Sequence, residues 1–68
     1  NDFSHVAPGA VLAGNVTVGK QVFIGANATV KDGLSIGDGA TIGAGAVVLT
    51  DIPAGETWVG NPAKPIRK

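Results

Sequence analysis

The stretch VGKQVFIGANATVKDGLSIGDGATIGAGAVV, from Val18 to Val48, carries an isoleucine or a valine at every sixth residue. The same spacing extends back to residue 6. The complete series is Val6, Leu12, Val18, Ile24, Val30, Ile36, Ile42 and Val48. Neither the 3.6-residue period of a helix nor the two-residue period of a long strand produces this spacing. The chain is therefore best described as a repeat of six-residue units, here called hexads and counted from residue 6.

Each hexad combines a short apolar segment with residues that favour a turn. The fifth position is apolar throughout: Ala10, Val16, Val22, Ala28, Leu34, Ala40, Ala46 and Ile52, with Trp58 extending the series. The fourth position is Gly, Asn or Asp in every hexad except that of Gln21, and these residues adopt positive φ most easily. We predict that positions five, six and one form a strand with only the middle side chain outward, and that positions two to four form a corner.

Three such strands and corners make a triangular coil of 18 residues, and successive coils stack about 4.8 Å apart by parallel hydrogen bonding. The predicted fold class is all-β, a parallel β-helix (β-solenoid) of roughly three coils. The hexads span residues 6–53, and residues 54–68 form a C-terminal cap in which Trp58 covers the last coil. We expect a single domain over residues 1–68. A helix is excluded because Gly or Asn recurs too often for a helix interior.

Composition narrows the range of partners. The formal net charge is zero, which argues against nucleic acid or a membrane surface as a partner. The chain has no cysteine and one histidine, so we expect neither disulfides nor a metal site, and we expect a cytoplasmic location. A chain of 68 residues buries too little surface to be stable alone without a staple. With disulfides and a metal site excluded, we expect oligomerisation to stabilise the fold.

Residues 18 apart should stack in columns along the solenoid. The predicted outward columns are His5, Phe23, Thr41 and Val59 on face one; Val11, Thr29 and Val47 on face two; and Thr17, Ser35 and Pro53 on face three. The corner between faces one and two, residues 7–9, 25–27 and 43–45, carries no charge. We expect this corner and the two apolar faces beside it to be covered by another subunit, by a ligand along exposed backbone amides, or by both.

The single histidine, His5, is predicted to point outward on the Phe23 column. An imidazole there could take a proton from an attacking amine or hydroxyl, contact a bound thioester, or be an ordinary surface residue. No serine or cysteine nucleophile with a partnering base is visible, so the residues do not suggest a covalent acyl-enzyme.

The runs DFSHVAPGAVLAGNVTVG and FIGANATV resemble the hexapeptide-repeat acyltransferases. The closest resemblance is to the sialic-acid O-acetyltransferase type and to UDP-amino-sugar N-acetyltransferases, of which the chain matches the C-terminal solenoid portion. The resemblance implies a left-handed winding, acetyl-CoA as the acyl donor, no metal, and a homotrimer with its sites between subunits. His5, within Phe3-Ser4-His5, matches the second of two family histidines, which contacts the acetyl group. The family's general-base histidine would lie before Asn1, so no catalytic base is assigned in this chain.

The resemblance also implies further cofactor contacts. Gly14 matches a corner glycine whose N–H holds the thioester oxygen, although it could equally serve only to ease a tight turn. Ala26 and Ala44 match positions where the pantetheine arm runs past the backbone. Gly60-Asn61-Pro62-Ala63-Lys64 resembles a Gly-x-Pro-Ala-Lys element, which makes Gly60, Pro62, Ala63 and Lys64 candidate cofactor contacts. Lys64, Arg67 and Lys68 form a cationic end that could hold the CoA phosphates or remain solvated.

Two functions follow as hypotheses. The first is acetyl transfer from acetyl-CoA to an amino or hydroxyl group of a nucleotide sugar at a trimer interface. The second is a truncated or engineered trimeric scaffold without activity because the upstream base is absent, and a chain that begins in mid-motif favours a fragment. An ice-binding threonine face is disfavoured because Thr17, Thr29 and Thr41 fall on three faces. A carbonic anhydrase zinc site needs three histidines, which one per chain does not supply.

Overall fold

Ten short strands make up the regular structure in the computed structural model, which describes residues 4–66. The strands are β1 (His5–Val6), β2 (Val11–Leu12), β3 (Thr17–Val18), β4 (Phe23–Ile24), β5 (Thr29–Val30), β6 (Ser35–Ile36), β7 (Thr41–Ile42), β8 (Val47–Val48), β9 (Thr57–Val59) and β10 (Lys64–Pro65). Over the described range there is no helix, and hence none long and apolar enough to cross a membrane. The all-β prediction is confirmed.

Parallel pairing between residues 18 apart joins the coils. Face one is the sheet β1-β4-β7-β9-β10, face two is β2-β5-β8, and face three is β3-β6. His5 pairs with Phe23, Val11 with Thr29, and Thr17 with Ser35. The chain is therefore a β-solenoid of about three coils, as the repeat predicts, and it is consistent with the left-handed winding that the resemblance implies.

The first and fifth positions fill the interior of the solenoid. In the second and third coils the side chains of Ile24, Val30, Ile42 and Val48 are 0% exposed. The fifth-position alanines Ala28, Ala40 and Ala46 are also fully buried, and no polar or charged residue is buried among the described ones. The regular strands contain only positions six and one, one residue fewer than predicted. The fifth position remains inward, and its carbonyl still accepts an inter-coil hydrogen bond, as Val22 does from the His5 N–H at 2.8 Å.

The last coil is two residues shorter than the hexad repeat predicts. Val30 and Ile36 lie six residues apart, but the residues that stack on them, Val48 and Ile52, lie only four apart. The corner between faces two and three loses two residues there, so Ile52, Thr57 and Trp58 stack on the residues 16 positions before them. The regular hexad register thus ends at Val48 and does not extend to residue 53.

This shortening corrects three column assignments. Thr57, and not Val59, stacks on Thr41, while Trp58 stacks on the inward Ile42. Pro53 is not on the outward column of face three. Asp51 reaches that position instead, where its carboxylate accepts the Ser35 N–H at 2.9 Å. Spacing alone could not reveal the change, because the apolar residues Ile52 and Trp58 fit the old register as well as the new one.

The C-terminal segment folds back over the end of the solenoid. β9 pairs in parallel with β7 and antiparallel with β10, and Trp58 packs against the buried core. Its Nε1–H donates to Glu56 Oε1 at 2.8 Å. On face two, the Val47 N–H donates to the Gly60 carbonyl, and the Ala63 N–H donates to the Val47 carbonyl. Trp58 therefore covers the last coil, as the cap hypothesis expects.

Candidate functional site

His5 and Phe23 form a stacked aromatic pair on face one. Their strands pair in parallel and both residues occupy the outward sixth position, which brings one ring directly over the other. The ring centroids lie 5.2 Å apart and the ring planes differ by 4°. This confirms the predicted placement of His5 on the Phe23 column, with its imidazole exposed.

Ser4 fixes the backbone on which His5 stands. Its hydroxyl donates to the Gly19 carbonyl at 2.8 Å and accepts the Val22 N–H at 3.4 Å. The His5 N–H in turn donates to the Val22 carbonyl. These bonds tie the start of β1 to the coil below, so the backbone of His5 is held on a sheet.

The uncharged corner between faces one and two stacks Ala26 and Ala44 in one column. The Gly45 N–H donates to the Ala26 carbonyl at 2.8 Å, which stacks the second and third coils closely. A Cβ added at Gly25 would lie 2.5 Å from the Ala44 backbone nitrogen, so only glycine fits there. The chain leaves this column after Val59, which lies over Gly43, and the Gly60 carbonyl accepts the Val47 N–H of face two.

The backbone N–H groups of Ala26 and Ala44 donate to no acceptor among the described residues. Third-position amides on the other corners are similar: the N–H groups of Asp32 and Asp38 also donate to no acceptor among residues 4–66, and the Lys20 N–H, which donates to Asp38 Oδ1 at 2.8 Å, differs. The uncharged corner is distinguished by having no charged side chain beside its free amides. An exposed N–H is a ready donor for a ligand that carries carbonyl oxygens. The uncharged corner therefore offers two unused donors, one in each of two successive coils.

Gly14 lies on the corner between faces two and three, across the solenoid from His5 on face one. Its N–H also donates to no acceptor among residues 4–66, and a Cβ added at Gly14 would meet nothing within 4 Å. Within one chain His5 and Gly14 are on opposite sides of the coil. They cannot contact the same acetyl group unless two chains contribute one residue each.

The C-terminal candidates lie beside the uncharged corner. Lys64 pairs with Val59, and Val59 in turn sits over Gly43, where a Cβ would approach Val59 Cγ1 to 2.6 Å. Gly60, Pro62 and Lys64 are exposed. Ala63 is 8% exposed and its N–H is already bonded to Val47, so its side chain and amide serve the cap.

Three residues that entered the sequence hypotheses lie outside the described range: Phe3 of the Phe-Ser-His motif, and Arg67 and Lys68 of the cationic end. Within residues 4–66 no group of three or more His, Cys, Asp or Glu side chains is placed to hold a metal ion.

Sequence reasoning expected exposed backbone amides along the uncharged corner, but it could not say which of them lack an acceptor, because that depends on the coil stacked on each one. It missed the shortened corner after Val48. No residue type marks that corner, because Asp51 suits a fourth position although in the structure it does not take the positive φ found there in the other corners.

A known protein family and several solved structures share this architecture. The family described as "Hexapeptide repeat of succinyl-transferase" matches residues 15–50. Comparison with curated proteins finds no significant match.

Three solved structures are closely similar. The acetyltransferase domain of PglB from Neisseria gonorrhoeae in complex with acetyl coenzyme A is 48% identical over 94% of this chain and 31% of its own, with a TM-score of 0.92. A histidine-to-asparagine mutant of perosamine N-acetyltransferase from Caulobacter crescentus, in complex with CoA and GDP-perosamine, is 39% identical over 98% and 32%, with a TM-score of 0.97. WeeI from Acinetobacter baumannii is 43% identical over 96% and 33%, with a TM-score of 0.92. The chain thus spans about a third of the length of these proteins.

Proposed function

Because this chain belongs to the hexapeptide-repeat acyltransferase family, we propose that it forms the donor-binding solenoid of an acetyl-CoA-dependent sugar acetyltransferase. The proposed reaction transfers acetyl from acetyl-CoA to an amino or hydroxyl group of a nucleotide sugar. The observation that carries the proposal is the pair of unused N–H groups at Ala26 and Ala44, beside an exposed imidazole at His5.

Similar structures support both substrates. The Neisseria domain is a complex with acetyl coenzyme A, and the Caulobacter enzyme is a complex with CoA and GDP-perosamine. A sugar linked to a nucleotide is therefore the acceptor class that we propose. An amino group is favoured over a hydroxyl group because the Caulobacter enzyme is a perosamine N-acetyltransferase.

The residues present fit an acyl-CoA donor. The pantetheine arm carries amide carbonyls, and the N–H groups of Ala26 and Ala44 are donors without partners that lie on a corner of small side chains. We assign the pantetheine contacts to these two residues and to Gly60. Pro62 and Ala63 are assigned no hydrogen bond to the donor. We assign them only to the segment that lies beside the pantetheine arm. Lys64, exposed beside this corner, is assigned to the CoA phosphates.

Acetyl-CoA supplies the acetyl group as a thioester: the acceptor nitrogen or oxygen bonds to the acetyl carbon, the C–S bond breaks, and the acceptor proton ends on the departing thiol. His5 contacts the acetyl group and orients it. The Gly14 N–H donates to the thioester oxygen, on which negative charge develops as the acceptor attacks. No residue among those described is assigned as the general base.

We propose a homotrimer with the site between subunits. His5 and Gly14 lie across the solenoid from each other, so one acetyl group meets both only if they come from two chains. The exposed apolar side chains of Val11 (55%) and Phe23 (45%) flank the uncharged corner and supply contact area for a neighbour. We further propose that the chain acts as a single domain in the cytoplasm, with neither nucleic acid nor membrane as a partner.

A proline at position 14 tests the oxyanion role. Gly14→Pro removes the N–H, and proline suits this place because Pro8 occupies the same third position on the preceding corner of the first coil. We expect kcat to fall roughly 10²- to 10³-fold, as when one oxyanion donor is lost. Gly14→Ala keeps the N–H in open space and should lose much less activity. Equal losses in the two variants would contradict the assignment.

Titration with acetyl-CoA separates the enzyme from the inactive scaffold, which the comparisons do not favour. We expect binding, and turnover with a nucleotide-linked amino sugar as acceptor. Absence of binding at millimolar acetyl-CoA would remove the enzyme hypothesis. Binding without turnover would indicate that the donor site is intact but that the reaction lacks a component.

A further inference from the structure

Phe23 is a large apolar side chain that the core does not explain. It is 45% exposed and points away from the solenoid, while Ile24 beside it is fully buried. The parallel register stacks its ring on that of His5, and the two ring planes are nearly parallel, with an angle of 4° between them. One face of the Phe23 ring therefore lies against the imidazole of His5.

Within the part of the chain that the structure describes, stacking on Phe23 is the aromatic contact of the His5 ring. Among residues 4–66, no side chain or backbone group forms a hydrogen bond with either ring nitrogen. Functional histidines are ordinarily oriented by a hydrogen bond on the nitrogen that does not react. Here the backbone of His5 is anchored by the sheet, and the plane of its ring is set by contact with Phe23.

We propose that Phe23 is a positioning residue for His5: the stacked phenyl ring holds the imidazole in the orientation in which a ring nitrogen reaches the acetyl group of the donor. This inference rests on the proposed function, in which His5 contacts that group. A planar ring 5.2 Å away restricts rotation of the imidazole about its Cβ–Cγ bond. As far as residues 4–66 are concerned, both ring nitrogens are available to substrate or to a neighbouring subunit.

A positioning role for Phe23 and simple surface packing predict different effects of replacing Phe23. If Phe23 only added apolar area, any large aliphatic side chain would replace it. If it orients His5, the replacement must be planar. Phe23→Leu keeps an apolar side chain but removes the flat face, and Phe23→Tyr keeps the face.

The test compares these two variants in the full chain, using steady-state kinetics with acetyl-CoA and a nucleotide-linked amino sugar. We expect Phe23→Leu to lower kcat roughly 10- to 100-fold with a small change in the KM for acetyl-CoA, because misplacing one reacting contact by about 1 Å costs up to this much. Phe23→Tyr should restore most of kcat. Ser35→Ala, which removes an exposed side-chain oxygen from face three, away from His5, is the control and should leave kcat unchanged.

A double-mutant cycle with His5→Ala decides whether Phe23 acts through His5. In the His5→Ala background, Phe23→Leu should have no further effect on kcat. A full additional loss there would overturn the positioning role while leaving the proposed function standing. If His5→Ala itself changes neither kcat nor the KM for acetyl-CoA, the assignment of His5 fails and the inference fails with it.

Nuclear magnetic resonance gives a readout that does not depend on turnover. The ring protons of His5 should be shifted upfield by the Phe23 ring current, and the shift should vanish in Phe23→Leu and persist in Phe23→Tyr. Unshifted ring protons in the unsubstituted chain would overturn the proposal directly.

Discussion

The fourth position of every hexad takes a positive φ as far as Gly45, whichever residue occupies it. The seven residues are Gly9, Asn15, Gln21, Asn27, Gly33, Gly39 and Gly45. Gln21, the exception in composition, is no exception in conformation, with φ of 57°. The corner geometry imposes the left-handed conformation, and most positions supply a residue that tolerates it. At Gln21 the corner requires a left-handed conformation from a residue type that does not favour it.

Replacing Gln21 by glycine should therefore stabilise the fold. A left-handed conformation costs an ordinary L-residue about 1–2 kcal/mol, part of which is offset by the greater freedom of glycine in the unfolded chain. We expect Gln21→Gly to raise the free energy of unfolding by about 0.5–1 kcal/mol. Urea denaturation measures it. Gly39→Ala is the matched reverse change, at φ of 73° with open space around a Cβ, and should lower stability by a similar amount.

The alternation of inward and outward positions predicts opposite effects of one substitution. Ile24→Asp buries a carboxylate with no partner in a fully apolar interior, and we expect it to abolish folding. Thr17→Asp places the same group on the exposed column of face three and should change stability little. Circular dichroism distinguishes the two results. Similar tolerance of both changes would contradict the register.

At the scale of elements, the C-terminal cap decides how the solenoid ends. The shortened corner moves Trp58 onto the inward column of Ile42, where it packs over the core. The segment that follows supplies the Gly60 carbonyl and the Ala63 N–H to Val47, at the otherwise unpaired edge of β8. Trp58 and the edge contacts close two faces of the last coil, which protects strand edges from pairing with other chains.

Trp58→Ala should open this end. Full burial of a large aromatic is worth about 3–5 kcal/mol on truncation, and because Trp58 is only half-buried we expect a loss of about 2 kcal/mol. Trp58→Phe keeps a smaller aromatic ring over the core but removes the hydrogen bond to Glu56, and should cost about 1 kcal/mol or less. Denaturation midpoints measure both. An equal loss in the two variants would show that the indole N–H, and not packing, carries the effect.

At the scale of the whole molecule, the fold leaves surface that a single small chain does not cover. The chain of 68 residues buries a narrow column of aliphatic side chains, while Val11, Phe23 and Leu49 remain between 45% and 55% exposed. Small domains without disulfides or metals gain stability by association. In the trimer that we propose, His5 of one subunit would lie near Gly14 of another.

A trimer predicts that stability depends on concentration. We expect the midpoint of thermal unfolding to rise with protein concentration, because subunit binding stabilises only the folded state. Sedimentation equilibrium should give about three times the 6.7 kDa mass of one chain. A folded monomer at micromolar concentration, with a midpoint independent of concentration, would contradict the proposed assembly.

Most of the fold could be predicted from the sequence, because the residue types within each hexad determine its strand and its corner. An aliphatic residue such as Ile36 must face inward, and a glycine such as Gly33 accepts the left-handed corner, so the period sets the coil and the direction of every side chain through Val48. Placing His5 and Phe23 on one outward column required nothing beyond this period.

The remaining features depend on which atoms of two coils meet, and those atoms belong to residues 16 or 18 positions apart. By itself the sequence determined the coil, its three faces and the uncharged corner, since hydrophobic burial and positive φ act within each hexad. Only the tertiary structure decided that the last corner is two residues shorter, that the Gly60 carbonyl bonds to Val47, and that the His5 and Phe23 rings stack. It also decided that the amides of Ala26 and Ala44 have no acceptor within residues 4–66. The physical reason is that hydrogen bonding and ring contact between coils are settled by stacking, which no single hexad encodes.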